Sequence, residues 1–378
     1  MKLFIEQLKP TIQTVFEHLH QHPEVSWKEY QTTAYIKQLL EEEGFNVQTF
    51  DDCTGLVVEI GSGNFCVGLR TDIDALWQEV DGQFKANHSC GHDSHMTMTI
   101  GAMLLLKKLN PQINGRIKFV FQPAEEKGTG ALKLIEKHVV DDVDFLYGVH
   151  LRPIQELRDG EAAGAIYHGA AKFLEGEIIG EDAHGARPHL GQNAIEIGAS
   201  LIQEMKSIHL DPMVPYTVKM TKFLAGGDTG NLIPGKASFS IDLRAQTNEV
   251  MDKLTEKVEK TAAALANLYG VDIRLETKAN VAAAQVNEEA LSYMEKAIIE
   301  SIGAEQLRKP IVSSGGEDFH FYTLKNPHLK ATMLGLGCDL QPGLHHPQMT
   351  FNHDAIYAGI EILARTLLHT FAAYERGE

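Results

Sequence analysis

Strand-like and helix-like segments alternate along the first 150 residues. Apolar strand-like runs lie at 65–70, 116–121 and 145–149, and an apolar run at 96–106 lies between the first two. Strands and helices that alternate in this way predict an α/β domain. Its sheet is expected to be mostly parallel, with helices on both faces.

The order of elements changes from about residue 171. Six segments then follow as strand, helix, strand, strand, helix and strand, at 172–179, 193–208, 217–223, 237–243, 249–269 and 272–277. This βαββαβ order is typical of a ferredoxin-like α+β domain with two helices on one face of a four-stranded sheet. The α/β pattern returns at the helix 288–302. The sequence therefore predicts a small domain, 171–278, inserted into a larger one formed by 1–170 and 279–378.

Composition excludes some partners. The chain of 378 residues has 34 Lys and Arg against 51 Asp and Glu, a formal charge of −17. The acidic residues are spread along the chain, so we expect neither nucleic acid nor an anionic membrane as a partner. An anionic substrate would need a local positive group, either a metal or an arginine. The four cysteines have no paired spacing, and no signal-like or membrane-spanning run is seen, which favours the cytoplasm.

The segment 87–95 concentrates groups that can bind metal. It contains three histidines, an aspartate and Cys90, and Gly91 separates this thiol from His92. A glycine lets the backbone bend so that both neighbours reach one metal. The alternative is a chance cluster at a helix start, where Asp93 or Ser94 would cap the helix.

More potential ligands follow other strands. Glu125 and Glu126 come after the run 116–121, His150 closes the run 145–149, and His345 lies in a glycine-rich loop. Each has an ordinary explanation as a solvated or hydrogen-bonded side chain. As a set with the cysteine segment, they offer the mixed sulfur, nitrogen and oxygen donors that suit zinc or another divalent ion.

The proposed donors exceed what one zinc uses. They number five: Cys90, His92, Glu126, His150 and His345. Tetrahedral zinc takes four ligands, so two metals about 3.5–4 Å apart, sharing one bridging ligand, fit better.

Several motifs carry a family resemblance, and they cover nearly the whole chain in the family's order. The matching segments are 70–76 (RTDIDAL), 88–93 (HSCGHD), 121–126 (FQPAEE), 185–189 (GARPH), 315–319 (GGEDF) and 344–345 (LH). The chain resembles the dinuclear-metal amidohydrolases of the hippurate hydrolase, aminoacylase and auxin-conjugate hydrolase group. These belong to the metallopeptidase clan that also holds carboxypeptidase G.

The resemblance implies a phosphorylase/hydrolase-like catalytic domain interrupted by a lid and dimerisation domain, and hence a homodimer. It implies a bridging thiolate at Cys90, with the other four candidate ligands completing two metal sites. Zinc is the first choice, and manganese, cobalt and nickel are alternatives. Glu125 would be the general base for the attacking water and would pass a proton to the departing amine.

The resemblance also assigns residues that bind substrate or orient ligands. His184 would hold the oxyanion with Asn231 nearby, and Arg244 would grip a substrate carboxylate. Asp72 and Asp93 would orient the metal ligands. The expected activity is hydrolysis of the amide bond of N-acylated amino acids. The alternatives are an exopeptidase acting on dipeptides and a catalytically silent metal-binding regulator.

Three departures from the family pattern stand out. His346 follows His345 where relatives usually have serine, which leaves the identity of the ligand open to a shift of one residue. Trp77 replaces the usual proline after the Asp-Ala-Leu segment. Asp182-Ala183 replaces the glycine pair before His184. The last two changes bear on substrate preference rather than on the chemistry.

Overall fold

The computed structural model describes residues 1–377, which form two compact units. Unit 1 comprises Met1–Tyr167, Gln285–Ile311 and the described part of Asp318–Glu378. Unit 2 comprises His168–Ala284 and Val312–Glu317.

The observed division differs slightly from the one expected from sequence. Both junctions of the expected insert, 171–278, lie a few residues inside unit 2. The segment Val312–Glu317 was expected in the larger domain, but it groups with unit 2. A short segment of this kind has no periodic pattern of its own that could assign it to either unit.

Both units combine α-helices with β-strands. The α-helices are α1 (Lys2–Gln21), α2 (Tyr30–Glu42), α3 (His92–Leu109), α4 (Gly130–Glu136), α5 (Ala194–Lys206), α6 (Asn248–Tyr269), α7 (Glu288–Ile302), α8 (His320–Lys325) and α9 (Ala355–Arg376). The strands are β1 (Val47–Thr49), β2 (Leu56–Ser62), β3 (Cys66–Asp72), β4 (Leu76–Val80), β5 (Gln83–Asn87), β6 (Gly115–Gln122), β7 (Phe145–Pro153), β8 (Ala162–Ala163), β9 (Ile166–His168), β10 (Ala170–Ile179), β11 (Ala183–His184), β12 (Tyr216–Ala225), β13 (Leu232–Ile233), β14 (Lys236–Ala245), β15 (Asp272–Val281), β16 (Leu307–Arg308), β17 (Ile311–Ser313) and β18 (Lys330–Leu340).

Unit 1 is built on an eight-stranded sheet in the order β1-β2-β6-β3-β7-β18-β8-β16. Its four central strands, β6, β3, β7 and β18, are parallel, whereas β1 and β2 pair antiparallel at one edge. This confirms the predicted α/β class with a mostly parallel sheet. Because the carboxyl ends of parallel strands share one edge, the loops that follow β3, β6 and β18 begin at the same edge.

Helix α3 lies in the core of unit 1. Its residues from His92 to Leu106 are all buried, and it packs against α1, α9 and β3. A helix that is apolar on every side needs such surroundings, which explains the apolar run seen in the sequence. Gly91 precedes the helix with φ +84°, so the backbone bends between Cys90 and His92 as predicted. The helix begins at His92 with Gly91 as its N-cap residue, so neither Asp93 nor Ser94 is the cap.

Two details of unit 1 differ from the sequence-based expectation. Strand β7 continues through His150 to Pro153 instead of ending at the histidine. A two-stranded hairpin, β4–β5, was not anticipated. Its strands are short and partly polar, and its signal was the Asp81-Gly82 dipeptide. Both residues have positive φ, which suits a two-residue turn between paired strands.

Unit 2 contains a four-stranded antiparallel sheet in the order β12-β14-β10-β15. Helices α5 and α6 contribute to the same apolar core as these strands. Along the chain the elements follow as β10, α5, β12, β14, α6 and β15, which is the expected βαββαβ order. Among residues 1–377, no helix has the length and apolar character needed to cross a membrane.

Candidate metal centre

The five side chains expected to bind metal come together in unit 1. Cys90, His92 and His150 form one group, and Cys90, Glu126 and His345 form another. Within each group the potential ligand atoms all lie within 4.8 Å of one another. The two groups share the Cys90 thiol, as a bridging ligand requires.

Two of the histidines present the ring nitrogen that a metal would use. The Nδ1–H of His92 donates to the Asp74 carbonyl oxygen at 2.9 Å, and that of His150 donates to the Leu151 carbonyl oxygen at 2.7 Å. A backbone carbonyl can only accept, so these contacts fix the proton on Nδ1. The Nε2 atoms then carry the lone pairs, as in metal-ligating histidines generally.

Two buried atoms of the cluster fit a cation. Within residues 1–377, His92 Nε2 and Glu126 Oε1 are buried without a hydrogen-bond partner, and they lie 3.7 Å apart. Buried polar atoms are normally paired, so two such atoms facing each other need an explanation. Divalent cations bound in the cluster would satisfy both atoms, and the sulfur, nitrogen and oxygen donors suit such ions.

The pKa shifts in the cluster also favour the binding of cations. Burial raises the pKa of the Cys90 thiol. Hydrogen bonding and proximity to Cys90 and Glu126 raise the pKa of His345 to about 10. The nearby Glu126 carboxylate also raises the pKa of the Cys90 thiol, so the pocket is acidic and short of positive charge. Bound cations would supply that charge and favour the thiolate.

Glu125 and Glu126 are held through their backbone by one carboxylate. Asp74 Oδ1 accepts from the Glu125 N–H, and Oδ2 accepts from the Glu126 N–H, each at 3.1 Å. The Ser26 hydroxyl also donates to Asp74 Oδ2, at 2.6 Å. Since the Asp74 carbonyl oxygen holds His92, this one residue fixes both glutamates and a histidine.

A second buried carboxylate fixes the turn just before the glutamates. Ala124 has φ +53°, and its N–H donates to Glu29 Oε1 at 2.9 Å. Glu29 is fully buried and also accepts from the Trp27 N–H and the Thr54 hydroxyl. Burial raises the pKa of Glu29, and these hydrogen bonds satisfy its oxygens. Glu29 therefore stabilises the backbone turn that positions Glu125.

Asp72 lies behind the histidines. Its Oδ1 accepts from His95 Nδ1–H at 2.8 Å and lies 3.8 Å from His92 Nδ1, while Oδ2 accepts from Arg70 at 2.7 Å. His95 Nε2 in turn accepts from the Leu151 N–H at 3.0 Å. Asp72 thus links the start of helix α3 to strand β7.

Two other polar residues of the segment 87–95, Asp93 and His88, do not belong to the two donor groups. Asp93 Oδ2 pairs with His20 Nδ1 at 2.6 Å, so the aspartate expected to orient a ligand contacts helix α1. His88 is 4% exposed, and neither of its ring nitrogens has a partner among residues 1–377. Burial lowers the pKa of His88 to about 4.

The two adjacent histidines, His345 and His346, lie in different surroundings. His345 Nε2 lies 3.5 Å from Glu126 Oε2. His346 instead turns back on its own loop, where its Nδ1 accepts from the Gln348 N–H at 3.1 Å. The structure therefore brings His345, and not His346, to the cluster.

The expected substrate-binding residues belong to unit 2. His184 lies on strand β11, and Asn231 directly precedes strand β13, which pairs with β11. The Gly185 N–H donates to the Asn231 carbonyl oxygen at 2.7 Å. Both side chains are exposed. Arg244 pairs with Asp242 through two hydrogen bonds of 2.8 and 3.0 Å, so a substrate carboxylate would compete with Asp242 for the guanidinium.

Sequence reasoning missed the residues that hold the site through backbone contacts. The position of Asp74 did suggest a role, since it follows strand β3 at the edge of the sheet where the site was expected. For Glu29 there was no such indication in the sequence, because this residue lies far upstream, immediately before helix α2. Contacts of a side chain with distant N–H groups have no sequence pattern.

Known proteins resemble this chain over nearly its full length. Residues 68–369 match peptidase family M20/M25/M40. A probable hydrolase of Synechocystis sp. is 31% identical, with 96% of each chain covered. The N-acetyl-L-cysteine deacetylase of Bacillus subtilis is 32% identical, covering 90% of this chain and 83% of the relative.

Solved structures of known proteins also resemble this chain. The YXEP protein of Bacillus subtilis, described as a dinuclear metal-binding peptidase of the M20 family, superposes with a TM-score of 0.82 at 25% identity. The alignment covers 98% of this chain and 99% of that one. The resemblance found in the sequence motifs is thereby confirmed, and the protein is a hydrolytic enzyme. The chain belongs to peptidase family M20/M25/M40.

Proposed function

We propose that this enzyme hydrolyses the amide bond of N-acylated amino acids with the help of two divalent cations. Cys90, His92 and His150 would hold one cation, and Cys90, Glu126 and His345 the other. The observation that carries the proposal is that both groups of donors share one thiol. Zinc suits these donors best, with manganese, cobalt and nickel as alternatives.

When bound, the two cations would polarise the substrate carbonyl and make a water molecule more acidic. The protein's own part is to position the groups around them. Asp74 fixes the backbone of Glu125 and Glu126, and backbone carbonyls set the tautomers of His92 and His150. Such prior positioning lowers the barrier because little reorganisation remains to be done during the reaction.

Glu125 would move the protons. Its Oε2 lies 3.9 Å from His92 Nε2, and its side chain is only 10% exposed. A carboxylate beside the donors can accept a proton from the attacking water and then deliver it to the departing amine nitrogen. Glu126, with contacts to both donor groups, is better placed as a ligand.

The relatives favour an N-acyl-amino acid as substrate. Two relatives that are 30–32% identical over most of their length are named as an N-acetyl-L-cysteine deacetylase and an IAA-amino acid hydrolase. Two relatives from Saccharolobus solfataricus, each 28% identical, are thermostable carboxypeptidases. Their names support the second candidate, an exopeptidase acting on dipeptides.

The proposed role of unit 2 is that of a lid and dimerisation domain. His184 would stabilise the oxyanion with Asn231 nearby, and Arg244 would bind the substrate carboxylate once released from Asp242. A homodimer would form through this unit. The proposed location of the enzyme is the cytoplasm.

A substrate panel tests the proposed function. Metal-loaded enzyme is offered N-acetyl and N-benzoyl amino acids and unmodified dipeptides, with zinc, manganese, cobalt or nickel. We expect the acylated compounds to be hydrolysed with the higher kcat/KM. A preference for free dipeptides would favour the exopeptidase, and no turnover of either class with any metal would contradict the proposed substrate.

The shared thiol gives a separate prediction. In Cys90→Ser, a hydroxyl replaces the thiolate and bridges two cations poorly, so both metals should be held more weakly. Metal analysis after dialysis is expected to give fewer than two ions per chain. Cys53→Ser, at a half-buried cysteine in another loop, is the matched control. Unchanged occupancy in Cys90→Ser would refute the bridging assignment.

A further inference from the structure

The side-chain amide of Gln78, on strand β4, links three parts of unit 1. Its Nε2 donates to the His345 carbonyl oxygen at 3.0 Å. Its Oε1 accepts from the Ser89 hydroxyl at 2.5 Å and from Asn87 Nδ2 at 3.0 Å. The hairpin, the segment before Cys90 and the histidine loop are therefore tied at one point.

Two further hydrogen bonds strengthen this connection. Asn87 Nδ2 also donates to the Pro347 carbonyl oxygen at 3.0 Å. The His345 N–H donates to the Ser89 carbonyl oxygen at 2.7 Å. Both backbone polar groups of His345 are thus bound by residues outside its own loop, and one of them is the neighbour of Cys90.

His345 needs such support. Its φ is +65°, a left-handed conformation that is unfavourable for a residue with a Cβ. Its side chain is 54% exposed, so packing does little to hold it. On an exposed loop, other backbone conformations would be favoured unless hydrogen bonds selected this one.

We propose that Gln78 is a positioning residue that holds His345 in place as a ligand of the second cation. The inference rests on the proposed function, because it presumes that His345 binds metal. Gln78 lies behind the ligand and acts through the backbone of His345. It also explains why His345, rather than the adjacent His346, reaches the cluster.

The substitution Gln78→Glu separates this role from simple anchoring of the hairpin. A glutamate has the same shape and keeps the acceptor for Ser89 and Asn87. It loses the donor to His345 and places an oxygen against the carbonyl of that residue. The added negative charge alone would strengthen cation binding, so weaker binding would oppose the electrostatic trend.

The matched control is Gln83→Glu. It makes the same chemical change in the same hairpin, on the exposed strand β5. Both variants carry the same added charge. The experiment titrates zinc into metal-free wild type and each variant, and measures the two dissociation constants and the melting temperature of the metal-free protein.

We expect Gln78→Glu to weaken the second zinc about 10–100-fold, the usual effect of losing a residue that orients a ligand. The first zinc and the metal-free melting temperature should match those of Gln83→Glu. The neutral Gln78→Met should weaken the second zinc similarly. In a His345→Ala background, Gln78→Glu should have little further effect.

Two results would overturn the inference. If Gln78→Glu and Gln78→Met bind the second zinc as tightly as Gln83→Glu, Gln78 only anchors the hairpin. A full additional loss in the His345→Ala background would show that Gln78 acts through another residue. Failure of the wild type to bind two zinc ions is distinguishable, because it would contradict the proposed function itself.

Discussion

The Glu125→Gln variant is expected to keep both metal ions and to lose kcat by roughly 10²–10⁴-fold, the usual contribution of a positioned acid–base group. Glutamine has nearly the same shape, and its backbone N–H can still donate to Asp74. Its side chain cannot accept a proton at neutral pH. Steady-state kinetics and the metal-to-protein ratio of the same sample check both parts of the prediction.

Controls make this result specific. Glu79→Gln changes an exposed glutamate of the hairpin in the same way and should leave kcat unchanged. Glu126→Gln, at the proposed ligand, should lower the metal content. If Glu125→Gln is purified without metal while Glu126→Gln keeps it, the roles of base and ligand are reversed.

The second large effect is expected at Asp74. In Asp74→Ala, the N–H groups of Glu125 and Glu126 and the Ser26 hydroxyl lose their shared acceptor. Each donor left unpaired costs about 1–3 kcal/mol of unfolding free energy. A displacement of the base by about 1 Å would lower kcat by on the order of 10²-fold. Urea unfolding and kinetics measure the two losses.

Ser26→Ala is the graded control for Asp74. It removes one of the three donors and leaves the two backbone contacts in place, so both stability and kcat should change only slightly. An Asp74→Ala enzyme with kcat near that of Ser26→Ala would show that the two backbone contacts do not position Glu125.

Much of the fold could be predicted from sequence because periodic patterns report which faces of an element are buried. The apolar run 96–106 predicted the buried helix α3, and the βαββαβ order of unit 2 was visible in the same way. The hairpin β4–β5 was missed because its short strands expose Trp77 and Phe84 and bury little. Such an element is stabilised by contacts with other segments rather than by its own pattern.

The site could be predicted in part for a different reason. Cys90 and His92 are separated by one glycine, so their proximity is local, whereas His345 lies about 250 positions away along the chain. Residues that act through backbone groups, such as Asp74 and Gln78, depend on where distant loops meet. The carboxyl edge of a parallel sheet predicts that meeting place but not the individual hydrogen bonds.

The most direct test is anomalous diffraction from crystals of the zinc-loaded enzyme, with data collected on both sides of the zinc absorption edge. We expect two anomalous peaks about 3.5–4 Å apart, with Cys90 Sγ in contact with both. His92 and His150 should bind one ion, and Glu126 and His345 the other. A single peak, or peaks remote from Cys90, would contradict the shared-thiol centre.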